Sequence, residues 1–264
     1  MKNFTQKQEY EFDGLYNFRD IGGFTTESGL KMKKGVLFRS DELSRLSKAD
    51  LQRFSELGIK LICDLRTSQE QKSKPSRIGL YQNVLVKNIS IHDKSQEFTR
   101  FEFFKFLVGR SGNIDFEQIM RAIYANMANN CSQQIQEIIM LLSDEENLPA
   151  LIHCTGGKDR TGFIAALIQL LAGVPYQTVL DEYLFSNELI GPRMRKVERF
   201  VRWVSLFQIS PDRLKPILEV RHEYLDDIFM DILKSHGSIE TYLCQFCNIS
   251  EEMLASFRNL LLEK

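Results

Sequence analysis

The sequence predicts an α/β fold: a central, mainly parallel sheet of about four to five strands flanked by helices, with an extended helical C-terminal part. Three observations lead there. Apolar runs near residues 36–39, 59–65, 84–91 and 149–153 have strand length, and the second shows little of the alternation of a half-exposed strand. Helical repeats stand between these runs, an alternation that builds a sheet covered by helices. Residues 175–264 carry helical patterns alone, read as an elaboration of the same domain, so that 1–264 form one domain. A sheet of this kind places a site beyond the carboxyl ends of its strands.

Residues 1–13 are polar and read as a flexible arm. Asn17 to Gly23 sets Arg19 and Asp20 ahead of a Gly-Gly turn; the pair either braces a site or belongs to the turn. Gly35 to Ser40 is a short strand with a polar end. Ser47 is placed to N-cap a helix running to about Leu57, which Gly58 closes. Ile59 to Leu65 forms the second strand, and Asp64 and Arg66 at its end are expected as a supporting ion pair. Val84 to Ile91 forms the third and leads to His92, read as structural, and Asp93. Phe98 to Val108 distributes its phenylalanines nearly all round a helix, which implies burial on several sides or a lid with an apolar underside; packing is the simpler reading. Phe116, Ile119, Met120, Ile123, Tyr124 and Met127 make one amphipathic helix, and Ile135, Ile138, Ile139 and Leu142 another.

The stretch from Pro149 to Gly173 carries the chemistry. It opens on a buried strand (Ala150, Leu151, Ile152) and closes on a helix whose Phe163, Ala166, Leu167, Leu170 and Leu171 recur at helical spacing. Between them lie His153, Cys154, Thr155, Gly156, Gly157, Lys158, Asp159, Arg160, Thr161 and Gly162. A tight loop feeding a helix N-terminus turns several backbone N–H groups toward one concavity, and the helix dipole adds positive character. A phosphate monoester dianion fits such a cup. Gly156 and Gly157 let the loop turn, and the planar fork of Arg160 suits two phosphate oxygens. Cys154 sits at the bottom, where the same positive field suits a thiolate nucleophile. Thr161 is expected to offer its hydroxyl to that sulfur, and His153 to brace the loop from the strand end.

Pro175 opens a helix to about Phe185. Pro192 is read as the start of a basic helix on which Arg195, Arg199 and Arg202 share a face opposite Val197, Phe200, Val201 and Val204. That stripe is either a solvated face, the simpler reading, or a dock for anionic headgroups or acidic phosphopeptides. From Pro211 onward Leu225, Ile228, Phe229, Ile232 and Leu233 are expected to face inward, with His222 and His236 structural.

The segment HCTGGKDRTG resembles the signature loop HCxxGxxR[ST]G of the cysteine-dependent protein tyrosine phosphatases. Its Lys-Asp-Arg variant resembles the bacterial tyrosine/serine phosphatases related to dual- and triple-specificity enzymes. Asn17-Phe18-Arg19-Asp20-Ile21-Gly22-Gly23, Gly58 to Thr67 and Gly237 to Leu243 are similar to stretches of the same subfamily, so the resemblance spans the chain from about residue 13 to about 262. It implies a phosphatase working through a cysteinyl-phosphate, with phosphotyrosine first among substrates and phosphoserine, phosphothreonine and phosphoinositides as options. Better-known relatives supply the general acid from an aspartate on a separate loop well before the cysteine. Here Asp144 lies too close and Asp115 opens a scaffold helix, which leaves Asp93 and Asp159. Asp159 is favoured, since related Lys-Asp-Arg enzymes are thought to use it; a loop-bracing role for Asp159 is the alternative. A phosphate-binding module without turnover and a rhodanese-like sulfur carrier are the competing classes, and the Gly-Lys-Asp-Arg-Thr-Gly continuation speaks against the second.

Composition narrows the partners. Lys and Arg total 34 against 35 Asp and Glu, so the net charge of −1 gives no global preference for an acidic partner, and no nucleic acid is expected. The 5 cysteines, odd in number and irregularly spaced, do not form a disulfide framework and suit a reducing compartment. Cys244 and Cys247 lack a second ligand pair and read as packing residues. Neither metal nor cofactor is expected, because the loop and Arg160 already supply the positive field. No apolar stretch reaches the ~18 residues of a membrane span, and the first residues lack a signal core. The expectation is a cytoplasmic protein, compatible with signal-independent export, without stable membrane insertion and with its oligomeric state left open.

Overall fold

Ala150–His153 (β5) is the middle strand of the sheet, and its neighbours explain why it is wholly apolar until its last residue. On one side it pairs in parallel with Leu37–Ser40 (β2), on the other with Leu61–Asp64 (β3), and all three strands are buried along their length. A strand covered on both faces has no solvent side for polar residues. The computed structural model describes residues 10–78, 84–91 and 115–263. Within these the sheet has 5 strands in the order β1-β2-β5-β3-β4, with Leu85–Asn88 (β4) parallel to β3 and the two-residue Arg19–Asp20 (β1) antiparallel to β2. The expected α/β class and mainly parallel sheet stand. The short β1 was not foreseen, since two residues carry no periodicity. The third strand is trimmed to β4, an exposed edge.

Alternate side chains of the central strands fill two cores. Leu37, Leu61, Cys63, Ala150 and Ile152 face a large cluster built with the helices that follow β4. Phe38, Ile62 and Leu151 face a smaller one with Leu15, Phe18, Leu51 and Phe54. Lys48–Glu56 (α1) supplies the last two; Ser47 caps it as expected, in a capping box with Asp50. Ser68–Ser73 (α2) is a single short helix after β3, capped by Thr67 and Glu70 in the same way. Phe116–Asn130 (α3) and Ser132–Leu142 (α4) follow, with the expected stripes buried or half-buried.

Arg160–Leu171 (α5) is buried nearly all round. Its Ile164, Ala165, Ile168 and Gln169 are as enclosed as the expected stripe, because later helices cover its second face. Tyr176–Leu184 (α6) and Ser186–Val204 (α7) follow, separated only by Phe185 in right-handed helical geometry. Pro192 therefore lies inside α7 instead of opening it. Proline breaks one backbone bond within a helix and does not by itself end it when flanking turns and packing hold. Pro211–Leu218 (α8), His222–His236 (α9) and Glu251–Leu261 (α10) complete the chain. Leu225, Ile228, Phe229 and Ile232 face the core, whereas Leu233 is exposed at the margin of the stripe. Arg258 of α10 donates through Nε to Leu171 O at 2.8 Å, capping the end of α5. Among the described residues no helix is long and apolar enough to cross a membrane.

The register decides where chemistry can gather. Ser40, His153, Asp64 and Asn88 are paired across β2, β5, β3 and β4. Four parallel strands thus end at one level, and the loops after them meet at one edge.

Candidate active site

Cys154 follows β5 directly and is buried, and the chain wraps around it before α5 starts at Arg160. The Gly157 N–H donates to Cys154 Sγ at 3.2 Å. Gly157 needs to be glycine for two reasons: its φ is +64°, and a Cβ would stand 2.3 Å from Ser40 O. The loop is thus pressed against the end of β2.

Donors from three other elements tie down the loop carbonyls. Asn17 Nδ2 donates to Gly156 O at 3.2 Å and Gly157 O at 2.8 Å. Arg39 Nη2 donates to Gly157 O at 2.7 Å, and Arg193 Nη1 to Thr155 O at 3.0 Å. With these carbonyls held on one side, the loop's N–H groups are left for the other, where the sulfur lies. The donors are themselves fixed. Glu182 pairs with Arg19 Nε and Arg39 Nη1, each at 2.7 Å, and Arg19 Nη1 donates to Asn17 Oδ1 at 2.5 Å. Arg193 pairs with Asp41 at 2.8 Å and Glu42 at 3.1 Å. Removing one member would leave a buried charge alone, at a cost of roughly 3–5 kcal/mol. The Arg19–Asp20 pair is therefore divided in its roles. Arg19 braces the loop through Asn17, while Asp20 closes the turn by accepting from the N–H groups of Gly22 and Gly35.

Arg160 is held by a residue that the sequence reading missed. Its Nη1 and Nη2 donate to Glu70 Oε2 and Oε1, both at 2.7 Å, a bidentate fork. Thr155 Oγ1 donates to the same carboxylate at 2.5 Å, and the Thr67 N–H at 2.9 Å. Burial alone would raise the Glu70 pKa, but the Arg160 hydrogen bonds and charge outweigh it and hold it down at about 2. Burial would likewise lower Arg160; the Glu70 hydrogen bonds and the neighbouring Cys154 and Glu70 charges hold it above its ordinary value instead. The signal was legible as the Thr67-x-x-Glu70 capping box at the end of a buried strand. What sequence could not give was the reach from α2 to α5.

Asp159 lies at the rim. Its Oδ1 accepts from Lys158 Nζ at 2.9 Å and from the Tyr124 hydroxyl at 3.0 Å, and that hydroxyl shares a proton bond with the Tyr183 hydroxyl at 2.6 Å. Burial and then the Asp159 charge push Tyr124 well above the ordinary tyrosine value, so it stays a donor. Tyr183 reaches this place because Gly162 has no side chain; a Cβ there would sit 2.9 Å from its ring.

The remaining expected residues fall behind the loop. Asp64 and Arg66 do pair, in a fork at 2.9 and 2.8 Å that fixes the end of β3. His153 donates through Nδ1–H to Cys154 O at 3.4 Å, while its Nε2 lies 3.7 Å from Asp64 Oδ1. Burial pushes this imidazole below its ordinary pKa, so it braces the strand end as a neutral ring. Thr161 departs from the expectation: among the described residues its buried hydroxyl has no hydrogen-bond partner, and the hydrogen bond at the sulfur comes from the Gly157 N–H. Asp93 and Phe98 to Val108 lie outside the described residues. Asp115 and Asp144 act as helix caps. Cys247 is buried, Cys244 half-buried, and among the described residues no cluster of three or more His, Cys, Asp or Glu could hold a metal ion.

A buried cysteine beneath a loop whose carbonyls are tied outward, with a forked arginine opening the next helix, is an arrangement suited to holding a phosphate monoester. The chain belongs to the tyrosine phosphatase family, whose model matches residues 10–263. It is 29% identical to the triple specificity protein phosphatase PtpB of Mycobacterium tuberculosis over 96% of this chain and 98% of that one. It is 27% identical to a protein of Cupriavidus necator carrying the name of a tyrosine-protein phosphatase, over 90% of this chain and 83% of the relative. A shorter match, 43% identical over 51 residues, covers 19% of this chain and 20% of the inositol diphosphatase DSP2 of Arabidopsis thaliana.

Proposed function

We propose that this phosphatase hydrolyses phosphomonoesters in two steps through Cys154, with protein phosphotyrosine as its first substrate class. The observation that carries the reading is the Gly157 N–H on the Cys154 sulfur, inside a loop whose carbonyls are tied outward. The sulfur attacks phosphorus in line, forming an S–P bond as the ester P–O bond breaks. The loop amides of residues 154–160 and the Arg160 fork hold the equatorial oxygens and the charge that develops on them. Asp159, preferred to Asp93, gives its proton to the departing oxygen. Water then attacks the cysteinyl-phosphate, Asp159 takes up a proton, and the S–P bond breaks to release phosphate.

The substrate class leans on relatives named for tyrosine and triple specificity; phosphoinositides are the second reading, and the short match to an inositol diphosphatase supports it only as far as a phosphorylated inositol. Lys158, next to Asp159 on the loop, would favour a substrate with extra negative charge. The test is kcat/KM across phosphotyrosine peptides, phosphoserine peptides and phosphoinositides; a phosphoinositide preferred over every phosphopeptide would overturn the first assignment. A cytoplasmic setting fits the free cysteines, all 5 unbridged.

Two positioning residues give their own predictions. Glu70→Gln keeps the shape but loses the charge that orients Arg160, and should lower kcat/KM by about 10–100-fold, since a misaimed fork loses orientation as well as hydrogen-bond strength. Unchanged kinetics would show that Arg160 finds its pose without Glu70. Tyr124→Phe removes one hydrogen bond to Asp159 and leaves the buried Tyr183 hydroxyl short of a partner. About 1–3 kcal/mol of stability should be lost, together with kcat on phenyl phosphate more than on an activated ester. Thermal melts alongside leaving-group comparisons separate the two effects.

A further inference from the structure

The outer side of the far end of α7 carries apolar side chains that the core clusters do not include. Phe200, Trp203, Leu206 and Phe207 are 63%, 68%, 78% and 66% exposed, a cluster of large apolar side chains within eight residues at one helix tip. The sequence pattern set Val197, Phe200, Val201 and Val204 opposite the arginines; of these Val197 and Phe200 are exposed. Met194 and Val201 pack with Ile209, Leu214 and Leu218 between α7 and α8. The turn beyond the helix holds Leu206 and Phe207 at φ of +50° and +61°, a conformation that costs free energy for any residue with a Cβ. A surface turn shaped only for stability would carry glycine or asparagine there.

The charges around this tip are one-sided. Arg195, Lys196, Arg199 and Arg202 face a single acid, Glu198, across residues 195–202. Arg202 lies over the Phe207 ring at 5.5 Å, so a cation and an apolar face are presented together. The same helix also reaches the cysteine loop: Arg193, near its middle, donates to Thr155 O. At 1.5 Å per residue, Trp203 is roughly 15 Å along the helix from that contact.

We propose that the tip of α7 docks the protein peripherally on an anionic lipid bilayer. Aromatic and leucine side chains on one helix tip, with Arg and Lys on the adjoining turns, are the composition that rests at the boundary between headgroups and acyl chains. Size argues against a protein partner. Four such side chains, about two-thirds exposed, offer on the order of 400–500 Å², short of the ~800 Å² per partner of a stable protein interface. A bilayer needs no matching surface.

Trp203 is the chain's single tryptophan, so its emission reports on the tip itself. The full chain is mixed with phosphatidylcholine vesicles, with and without phosphatidylserine, and followed by Trp203 emission and co-flotation. Phosphatidylserine vesicles should shift the emission to the blue and carry the protein up; phosphatidylcholine alone should not, and high salt should weaken the effect. Phe200→Ser with Phe207→Ser should cut flotation by roughly one order of magnitude or more, as should Arg195→Glu with Arg199→Glu. Turnover of a soluble aryl phosphate by these variants should match wild type, which shows that they fold. Absent flotation and an unmoved Trp203 at low salt would overturn the proposal. So would a blue shift that appears with protein concentration alone, which marks an interface between copies, or one produced by an acidic phosphopeptide and not by vesicles.

Discussion

Cys154→Ser is expected to lower kcat on an aryl phosphate by about 10⁴-fold or more, the scale seen when a nucleophile is removed from an assembled site. The substitution trades a sulfur nucleophile, reactive as its anion, for a hydroxyl that would need a base beside it. The contact at Sγ is a donor, the Gly157 N–H, which suits an anion and cannot take a proton. His153 precedes the cysteine but turns its ring to the Cys154 carbonyl and toward Asp64, away from the sulfur. Binding should survive. Arg160 keeps its fork on Glu70, and Asn17, Arg39 and Arg193 still hold the loop carbonyls. The variant should therefore bind a phosphotyrosine peptide about as tightly as wild type and melt within ~1 kcal/mol of it. Stopped turnover with retained binding, measured by aryl phosphate assay and calorimetry, is the expected pair. Substantial residual turnover would place the nucleophile elsewhere. A wild-type protein that bound phosphopeptide tightly and turned none over would be a binding module.

The parts of this site that were legible in the sequence are those that are local. Strand, glycine loop and helix follow one another within Ala150–Leu171, so Cys154, Arg160 and the turn at Gly157 could be placed from spacing alone. Asp64 and Arg66 are two residues apart and could be paired for the same reason. The supports that come from far along the chain could not. Glu70 meets Arg160 across ninety positions, and Glu182 meets Arg19 and Arg39 only because α6 packs beside β1 and β2. Such pairs have no periodicity; they exist once the parallel strands end at one level. Proline misled at Pro192 because a local rule about helix starts was applied where packing overrides it. The apolar stripe opposite the arginines did not show which of its members is covered: Val201 packs against α8, whereas Phe200 stays at the surface.

Asp159→Asn should separate proton donation from architecture. If Asp159 protonates the leaving oxygen, kcat on phenyl phosphate should fall by roughly 10²–10⁴-fold, about 3–5 kcal/mol of barrier. On a nitro-substituted coumarin phosphate, whose leaving group departs as a stable anion, the loss should be far smaller. The asparagine is a fair test because Oδ1 carries both observed contacts, to Lys158 and to the Tyr124 hydroxyl. An amide oxygen can accept the same two hydrogen bonds, so the rim keeps its shape while the acid is gone. Tyr124 remains a donor, since burial and the Asp159 charge hold it protonated in the wild type and the loss of that charge removes only part of the cause. Equal losses on the two substrates would mean that the carboxylate shapes the loop through Lys158 and Tyr124 and gives no proton. In that case Asp93→Asn should show the leaving-group dependence that Asp159→Asn lacks, and the acid would come from a separate loop, as in the better-known tyrosine phosphatases.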